Sequence, residues 1–282
     1  MINRKSIVVA KLPNTGLGNK MLTFSRAYSF ARANNLELYS INWVSFQLGP
    51  LIRMERSKRI YNYFTHSEFL TRIKLYGLSF FRVKENEGAK FYNYNKYYVF
   101  SEIFIKNDYF SEIRDNKFIF KNAFKELLND SIKVQIDNSI HPDVAIHIRR
   151  GDFKKGSTIT AMTYFIDVIM FIKSNINRDL IIYVFSDGDD DELREILAID
   201  GVIRAKQQPD VVDLFQMAKS KIFIPSIGST FSYWAALFTE GIIIRNELEW
   251  HTNFLTIEEF DKKEFIYSNS NKALAETLQK LT

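Results

Sequence analysis

Short apolar runs alternate with amphipathic stretches along the second half of the chain, from Asp143 onwards. Five runs, which lie in the segments DVAIHIR, LIIYVFSD, GVIRAK, KIFIPS and GIIIRN, are short and rich in β-branched residues, so each predicts a buried strand. Between them lie stretches with helical spacing, TAMTYFIDVIMFIKSN, DDELREILAI, DVVDLFQMAKS and STFSYWAALFTE. Strict alternation of strands and helices is typical of a doubly wound parallel sheet, which the pattern therefore predicts for this half.

The N-terminal segment has the pattern of a βαβ unit. A predicted strand over Ile7–Lys11 is followed by a glycine-bearing loop over 12–19 and then by a helix with one apolar face. Leu36–Ile41 returns as a second strand, which predicts parallel pairing and a right-handed crossover. Residues 42–140 are rich in aromatic and basic residues and show no repeat, so we expect short helices and loops there, with one helix near Phe118–Asn129.

A boundary between two domains is expected near Ser139–Pro142, where the aromatic and basic middle of the chain gives way to the alternating series. A chain of 282 residues with 46% hydrophobic residues is long enough for two domains of ordinary size. The sequence thus predicts an N-terminal α/β domain over residues 1–140 and a C-terminal Rossmann-like domain over residues 141–282.

Composition narrows the classes of protein to which the chain can belong. Cysteine is absent, which excludes disulfides and thiolate metal sites. No apolar run approaches the roughly 18 residues of a membrane span. The first apolar run is too short for a secretory signal, so the cytoplasm is the expected compartment.

Positive charge is concentrated before the predicted boundary. The formal net charge of the chain is +5, and residues 51–100 hold ten Lys or Arg against four Asp or Glu, a net charge of +6. Such a segment could face an anionic membrane, a phosphate-bearing substrate or nucleic acid, or it could be a solvated surface, which charge alone favours. A nucleic-acid partner is not expected, because the basic residues form no recognisable nucleic-acid-binding motif.

Polar side chains follow three of the predicted strands in the second half. They are His147 near the end of VAIHI with Arg149, Arg150 and Asp152 after it, Ser186 and Asp187 after IIYVF, and Ser226, Ser229, Thr230 and Ser232 after KIFIP. In an open parallel sheet these strand ends lie on one edge, where ligands bind. Arginine suits phosphate oxygens, and hydroxyls with backbone amides at a helix start make an anion site. Because an aspartate could accept two hydrogen bonds from guanine, the set predicts a nucleotide diphosphate pocket.

Each of these features also has a simpler structural explanation. The RRGD stretch could be a charged surface turn, and His147 could be a satisfied core histidine. Asp187, Ser229 and Thr230 could cap the helices that follow them. The loop TGLGN permits close backbone approach at its glycines, but it lacks the spacing of a dinucleotide-binding fingerprint. Only the joint occurrence of these groups on one sheet edge favours a ligand site.

Four segments together resemble a known family. TGLGNKMLTFSRAYSFARANN, VAIHIRRGDF, VFSDG and DLFQMAKSKIFIPSIGSTFSYWAALF are similar in order and spacing to the bacterial α-1,2-fucosyltransferases, glycosyltransferase family eleven. The H-x-R-R-x-D pattern is shared more widely, with α-1,6-fucosyltransferases and protein O-fucosyltransferases. The resemblance implies a GT-B-like architecture, in which two Rossmann-like domains with parallel sheets face a cleft. It also implies GDP-β-L-fucose as the donor, inversion at the anomeric carbon and no required metal.

The resemblance further implies roles for individual residues. Arg149 would bind the diphosphate and stabilise the departing GDP. His147 and Asp152 would shape the same pocket, in which Arg150 would have a structural part, and Asp187 would read guanine. The resemblance also assigns donor contacts to Gly16, Gly18 and Asn19 in the N-terminal loop and to Ser229, Thr230 and Phe231, and we add Ser186 and Ser232 for their places near the strand ends.

Several positions depart from the pattern that the family usually shows. Thr15 replaces a glycine, and Lys20 replaces a glutamine. Tyr233 stands where the first of two tryptophans is usual, and Ile227 and Gly228 interrupt a run of hydroxyl residues. These changes could signal a different acceptor or a different donor. The lysine could add a phosphate contact or could be an ordinary solvated residue on the helix.

The expected activity is metal-independent transfer of L-fucose to a sugar hydroxyl, with α-1,2 linkage, on an oligosaccharide of a surface polysaccharide. The acceptor could be lipid-linked and met at the inner face of the cytoplasmic membrane. His147 is a candidate base by residue type, and Glu55, Glu68 or Glu102 are equally conceivable. The acid-rich DGDDD stretch is expected to cap a helix rather than to hold magnesium.

Two alternative functions stay open at the level of the sequence. One is a GT-B transferase that uses another nucleotide sugar, which a screen of donors would detect. The other is a non-catalytic nucleotide- or glycan-binding protein, which would bind GDP without turnover of any acceptor.

Overall fold

The computed structural model describes residues 6–43, 63–64, 82–84, 97–104, 107–150, 159–268 and 270–281. The chain divides into two compact units, Met1–Val134 and Gln135–Thr282. Each unit contains a parallel sheet with helices. Within the described ranges, no helix is both long and apolar enough to cross a lipid bilayer.

The first unit contains the predicted βαβ unit and adds two strands to it. Its elements are β1 (Ile7–Lys11), α1 (Leu17–Ala33), β2 (Glu37–Ile41), β3 (Arg82–Lys84), β4 (Tyr97–Phe100), α2 (Lys117–Glu126) and α3 (Asp130–Asp137), within which the division between the units falls. The sheet order is β2-β1-β4-β3, and all its pairings are parallel. The expectation of short helices and loops before the boundary was therefore wrong at β3, whereas β4 lies in the stretch FYNYNKYYVF, whose alternation is compatible with a strand or a loop.

The helix expected near Phe118–Asn129 is confirmed as α2, and a second helix, α3, begins just beyond the predicted range. The chain leaves α2 after Glu126, and Asn129 Oδ1 accepts a hydrogen bond from Ile132 N at 3.0 Å at the start of α3. Asn129 N donates to Tyr63 O at 2.7 Å, a contact outside the helix. The Asn129 side chain accepts from a backbone N–H in the first turn of α3, as helix-capping residues do. It therefore favours the start of a new helix at this point.

The second unit confirms the doubly wound parallel sheet. Its elements are β5 (Val144–Ile148), α4 (Met162–Asn175), β6 (Ile182–Ser186), α5 (Arg194–Leu197), β7 (Val202–Arg204), α6 (Asp210–Ala218), β8 (Ile222–Ile224), α7 (Thr230–Phe238), β9 (Ile242–Arg245), α8 (Ile257–Lys263), β10 (Glu264–Ile266) and α9 (Lys272–Gln279). The strand order is β10-β9-β8-β5-β6-β7. The helix predicted from DDELREILAI is limited to the four residues of α5, because Asp189 Oδ1 and Asp191 O hold the preceding residues in turns.

The core of the second unit forms around β5. All five residues of β5 are buried, as expected for a central parallel strand with helices on both faces of the sheet. Burial of each large apolar side chain contributes about 1.5–3 kcal/mol. One core cluster combines the strand residues Val144, Ile146, Ile148, Val184 and Ile224 with the α4 residues Phe165, Val168, Ile169 and Ile172. The polar residues that follow these strands therefore lie where the apolar core ends.

Candidate functional site

The sheet register brings the polar strand ends together. Ile148 at the end of β5 pairs with Ser186 at the end of β6. Arg149 comes directly after β5, and Asp187 comes directly after β6. β8 pairs with β5 on its other side, and residues 225–229 connect β8 to α7. The three strand ends that the sequence places on one edge therefore meet there.

Arg149 is anchored by Asp187. Arg149 Nη1 donates to Asp187 Oδ2 in an ion pair, and Arg150 N donates to the second oxygen, Oδ1, at 2.8 Å. The side chains of Arg149 and Asp187 are 26% and 19% exposed, so the pair lies at the rim of the sheet and not in the core. A guanidinium held by a carboxylate has a fixed direction, which makes it a prepared site for phosphate oxygens.

Arg150 belongs to the interior. Its side chain is buried, and Nη1 donates to Thr160 O at 2.9 Å. Burial lowers the pKa of the Arg150 guanidinium, while the negative charges of Glu192 and Asp187 raise it. A Cβ at Gly188 would lie 3.0 Å from Arg150 Cγ, so the glycine lets the chain pass close to this side chain. The buried Arg150 guanidinium thus connects the residues after β5 to Thr160 by a hydrogen bond.

Ser226 joins the ends of β5 and β8. Its Oγ donates to His147 O at 2.7 Å and accepts from Arg149 N at 2.9 Å. The His147 side chain is buried, and its Nδ1 is hydrogen-bonded to Ser232 Oγ. The ring of His147 lies 5.4 Å from that of Phe231, between centroids. His147 therefore packs against the first turn of α7.

Side chains hold the backbone amides of the loop that precedes α7. Gly228 has a φ of +69°, a left-handed conformation that favours glycine. The amide contacts are Ser226 N to Ser232 Oγ at 3.3 Å, Ile227 N to Thr160 Oγ1 at 2.9 Å, and Gly228 N to Tyr233 Oη at 2.8 Å. The loop is therefore held by two side chains of α7, Ser232 and Tyr233, and by Thr160, which precedes α4.

The start of α7 has the features of an anion site. Ser229 is the N-cap, and its Oγ accepts from Ser232 N at 3.4 Å. Thr230 and Phe231 form the first turn, where helix geometry presents backbone N–H groups and a partial positive charge. Together with Arg149, this turn could hold a diphosphate.

Ser186 and the acids after Asp187 have contacts within the protein. Ser186 Oγ donates to Ile148 O at 2.7 Å and accepts from Gly188 N at 3.0 Å. Asp190 pairs with Arg204, and Asp191 pairs with Arg194. In the part of the chain that the structure describes, no three His, Cys, Asp or Glu side chains are grouped as metal ligands would be.

The predicted N-terminal contributors lie in the first unit. Gly16 is the N-cap of α1, and Gly18 and Asn19 belong to its first turn. Lys20 is fully buried, and its Nζ donates to Asn42 O at 2.6 Å and to Trp43 O at 2.7 Å. The expectation of a solvated lysine was therefore wrong, and the alternative of a phosphate contact stays a prediction that the two backbone carbonyls do not favour.

Some candidate residues fall outside this geometry. Asp152, Glu55 and Glu68 lie outside the described residues. Glu102 is exposed in the first unit, and its Oε1 accepts from Ser101 Oγ at 3.1 Å.

Sequence reasoning missed Thr160 and Glu249, which support the site through Ile227 and Tyr233. The only signal for Thr160 was its place just before an amphipathic helix, where a cap would be the ordinary interpretation. Glu249 carried no signal at all, because its partner precedes it by 16 residues in the chain.

Comparison with known proteins shows the family and the fold of the chain. The sequence profile of glycosyl transferase family 11 matches residues 3–269. No curated protein matches the chain. The structure of fucosyltransferase NodZ from Bradyrhizobium is similar with a TM-score of 0.50 and 14% identity, over 84% of this chain and 94% of that one.

A second similar structure is that of POFUT1 in complex with GDP-fucose, with a TM-score of 0.46 and 15% identity, over 85% of this chain and 95% of that one. At such identities the likeness to NodZ concerns the fold alone. The prediction of a GT-B-like α/β fold with parallel sheets is confirmed.

Proposed function

This chain belongs to glycosyl transferase family 11, and we propose that it transfers L-fucose from GDP-β-L-fucose to a sugar hydroxyl. The observation that carries the proposal is the ion pair of Arg149 with Asp187 beside the first turn of α7. A fixed guanidinium and a helix N-terminus are both suited to bind the phosphate oxygens of a nucleotide diphosphate.

In the proposed reaction, the acceptor oxygen forms a bond to C1 of fucose on the face opposite the nucleotide. The bond from C1 to the β-phosphate oxygen breaks, and GDP leaves with the electron pair, so the configuration at C1 inverts. Arg149 stabilises the negative charge that develops on the β-phosphate. The acceptor proton passes to a base, for which Glu55, Glu68 and Glu102 of the N-terminal half are the proposed candidates.

The proposed transfer needs no metal, because Arg149 and the start of α7 would supply the positive charge at the leaving group. Activity is therefore expected to survive EDTA. An activity that EDTA abolishes and magnesium restores would overturn this part of the proposal.

We propose that Asp187 contributes to guanine recognition. Its two oxygens bind Arg149 Nη1 and Arg150 N, so recognition of guanine would have to share or exchange these contacts. Asp187→Asn separates the two roles. If the carboxylate reads guanine, the variant loses the preference for GDP over ADP, whereas equal weakening for both nucleotides would leave Asp187 only as the anchor of Arg149.

Titration calorimetry with GDP, ADP and UDP in the presence of EDTA is the first test of the donor. Selective binding of GDP is expected. A transfer assay with GDP-fucose and a galactoside acceptor then tests the reaction, and NMR of the product distinguishes the expected α-1,2 linkage from α-1,6. GDP binding without turnover of any acceptor would favour a non-catalytic binding protein instead.

The acceptor is proposed to be an oligosaccharide of a surface polysaccharide, carried on a lipid at the cytoplasmic face of the membrane. The net charge of +6 over residues 51–100 supports contact with anionic lipid, although most of that segment lies outside the described residues.

A further inference from the structure

Tyr233 links the loop before α7 to the segment after β9. Its hydroxyl accepts a hydrogen bond from Gly228 N at 2.8 Å and donates one to Glu249 Oε1 at 2.5 Å. A tyrosine hydroxyl has one proton to donate and lone pairs to accept with, so the single oxygen Oη satisfies both partners at once. Phenylalanine could do neither.

The position of this hydroxyl is set by packing. The Tyr233 side chain is fully buried, and its ring centroid lies 5.0 Å from that of His251 and 5.1 Å from that of Phe254. His251 and Phe254 themselves stack at 5.0 Å with their planes 6° apart. A ring enclosed in this way cannot shift without disturbing its neighbours, since protein interiors are closely packed.

Glu249 is in turn fixed by its own surroundings. Besides Tyr233, it accepts a hydrogen bond from His251 N at 3.0 Å. Burial raises the pKa of the Glu249 carboxyl, while its hydrogen bonds and the positive charge of Arg245 lower it. Arg245 Nη1 donates to His251 O at 3.0 Å and so holds the same segment.

The other end of the loop contacts the donor-site residues directly. Ser226 Oγ accepts from Arg149 N, and Ser226 N donates to Ser232 Oγ in the first turn of α7. Gly228 lies two residues further along in a left-handed conformation. A displacement of Gly228 would therefore also displace Arg149 and the first turn of α7, the two groups that are proposed to bind the diphosphate.

We propose that Tyr233 and Glu249 are positioning residues, which hold Gly228 and thereby fix the loop and the first turn of α7 for binding of a nucleoside diphosphate. The inference rests on the proposed function of the site. Catalytic sites lose affinity and rate when a supporting contact lets them move by a fraction of an ångström to an ångström.

Tyr233→Phe is the direct test, and Tyr164→Phe is its matched control. Tyr164 is also buried, and its hydroxyl donates to Ile244 O at 3.1 Å in β9 and not to the loop. Each variant loses one buried hydroxyl, so both are expected to unfold at a lower temperature, and Tyr233→Phe by more because its hydroxyl has two partners and that of Tyr164 has one. Only Tyr233→Phe is expected to weaken GDP binding, by about tenfold in calorimetry, because a buried amide and a carboxylate lose their partner.

A pair of substitutions at Glu249 separates positioning from general stability. Glu249→Gln keeps a carbonyl oxygen that can accept from Tyr233, and Glu249→Leu does not. We expect Glu249→Gln to bind GDP within about threefold of wild type and Glu249→Leu to resemble Tyr233→Phe. Hydrogen exchange of the peptide that contains Gly228 should be faster in Tyr233→Phe and Glu249→Leu than in Tyr164→Phe.

The outcomes distinguish the inference from the function on which it rests. Wild-type protein that binds GDP, together with Tyr233→Phe and Glu249→Leu that bind it equally well, would overturn the inference and leave the function standing. Wild-type protein without affinity for GDP would overturn the proposed function and the inference with it. If Tyr233→Phe fails to fold, the comparison of Glu249→Gln with Glu249→Leu decides.

Discussion

At the scale of the residue, Arg149 takes its direction from a partner 38 residues away in the chain. Arg149→Ala removes the guanidinium that would stabilise the leaving phosphate. We expect the kcat of fucosyl transfer to fall by roughly 10²–10³, as when one donor to a developing oxyanion is removed. Unfolding free energy should change little, because a partly exposed ion pair contributes only about 0–1 kcal/mol.

Arg194→Ala provides the control for this experiment, since Arg194 also pairs with an aspartate, Asp191, but at an exposed position. Steady-state kinetics should be normal for Arg194→Ala. Turnover close to wild type in Arg149→Ala would remove Arg149 from the mechanism.

Lys20 is the second residue whose environment leads to a prediction. Its buried ammonium binds the carbonyl oxygens of Asn42 and Trp43, and Asn42 has a φ of +70°. Lys20→Met leaves these two acceptors without the lysine, so we expect a loss of about 1–3 kcal/mol in urea unfolding. Lys11→Met, at the exposed end of β1, should have little effect.

GDP affinity is the second measurement on these variants. Because the Lys20 ammonium faces backbone carbonyls, Lys20→Met should bind GDP like wild type. A variant with normal stability and weakened GDP binding would instead return Lys20 to the phosphate site.

At the scale of the element, Asp143 ties three strands together at the end of β5 opposite the site. It accepts hydrogen bonds from Arg178 Nη2 at 2.8 Å, Lys221 Nζ at 2.9 Å and Ile181 N at 3.1 Å. The bond with Arg178 is the main cause that holds the pKa of Asp143 well below its ordinary value, with burial opposing it.

A carboxyl whose pKa is lower in the folded than in the unfolded chain stabilises the fold above its unfolded pKa of about 3.9. This contribution is lost as the pH falls below that value. Asp143→Asn should therefore be less stable than wild type at neutral pH, by roughly 1–2 kcal/mol, and the difference should shrink below about pH 4. Urea unfolding as a function of pH measures it, with the exposed Asp191→Asn as a control. A difference that does not depend on pH would contradict this account.

The elements that the sequence predicts well are those whose strands are buried on both faces. β5, β6, β8 and β9 are continuous apolar runs between turn residues, and such runs are easy to recognise. β3 (RVK) and β10 (EFI) are as short as β8, but they contain charged residues, so no continuous apolar run marks them in the sequence. The break between α2 and α3 depends on a cap at Asn129, which competes with the apolar spacing across it.

The candidate site was predictable as a set of residues on one edge, but not as a set of contacts. Topology alone places Arg149, Asp187 and the start of α7 together. Which atoms meet is decided by side chains far apart in the chain, such as Thr160 with Ile227. A single sequence contains no signal for such pairs, because neither residue belongs to a motif or a periodic pattern that points to the other.

At the scale of the whole molecule, charge is the property that leads to a prediction about the acceptor. The chain carries a net charge of +5, and residues 51–100 alone carry +6. Each basic residue near an anionic membrane contributes about 1 kcal/mol of attraction, which salt screens over about 10 Å at 0.1 M. Fucosyl transfer to a lipid-linked acceptor in anionic liposomes should therefore be faster at low salt than at high salt.

The comparison that tests this attraction uses the same glycan free in solution and on neutral liposomes. The rate on the free glycan should depend little on salt, because uncharged sugar gains nothing from the basic segment. The rate on neutral liposomes should resemble that on the free glycan. If all three rates respond equally to salt, the basic segment is a solvated surface, and the acceptor must be recognised without help from the membrane charge.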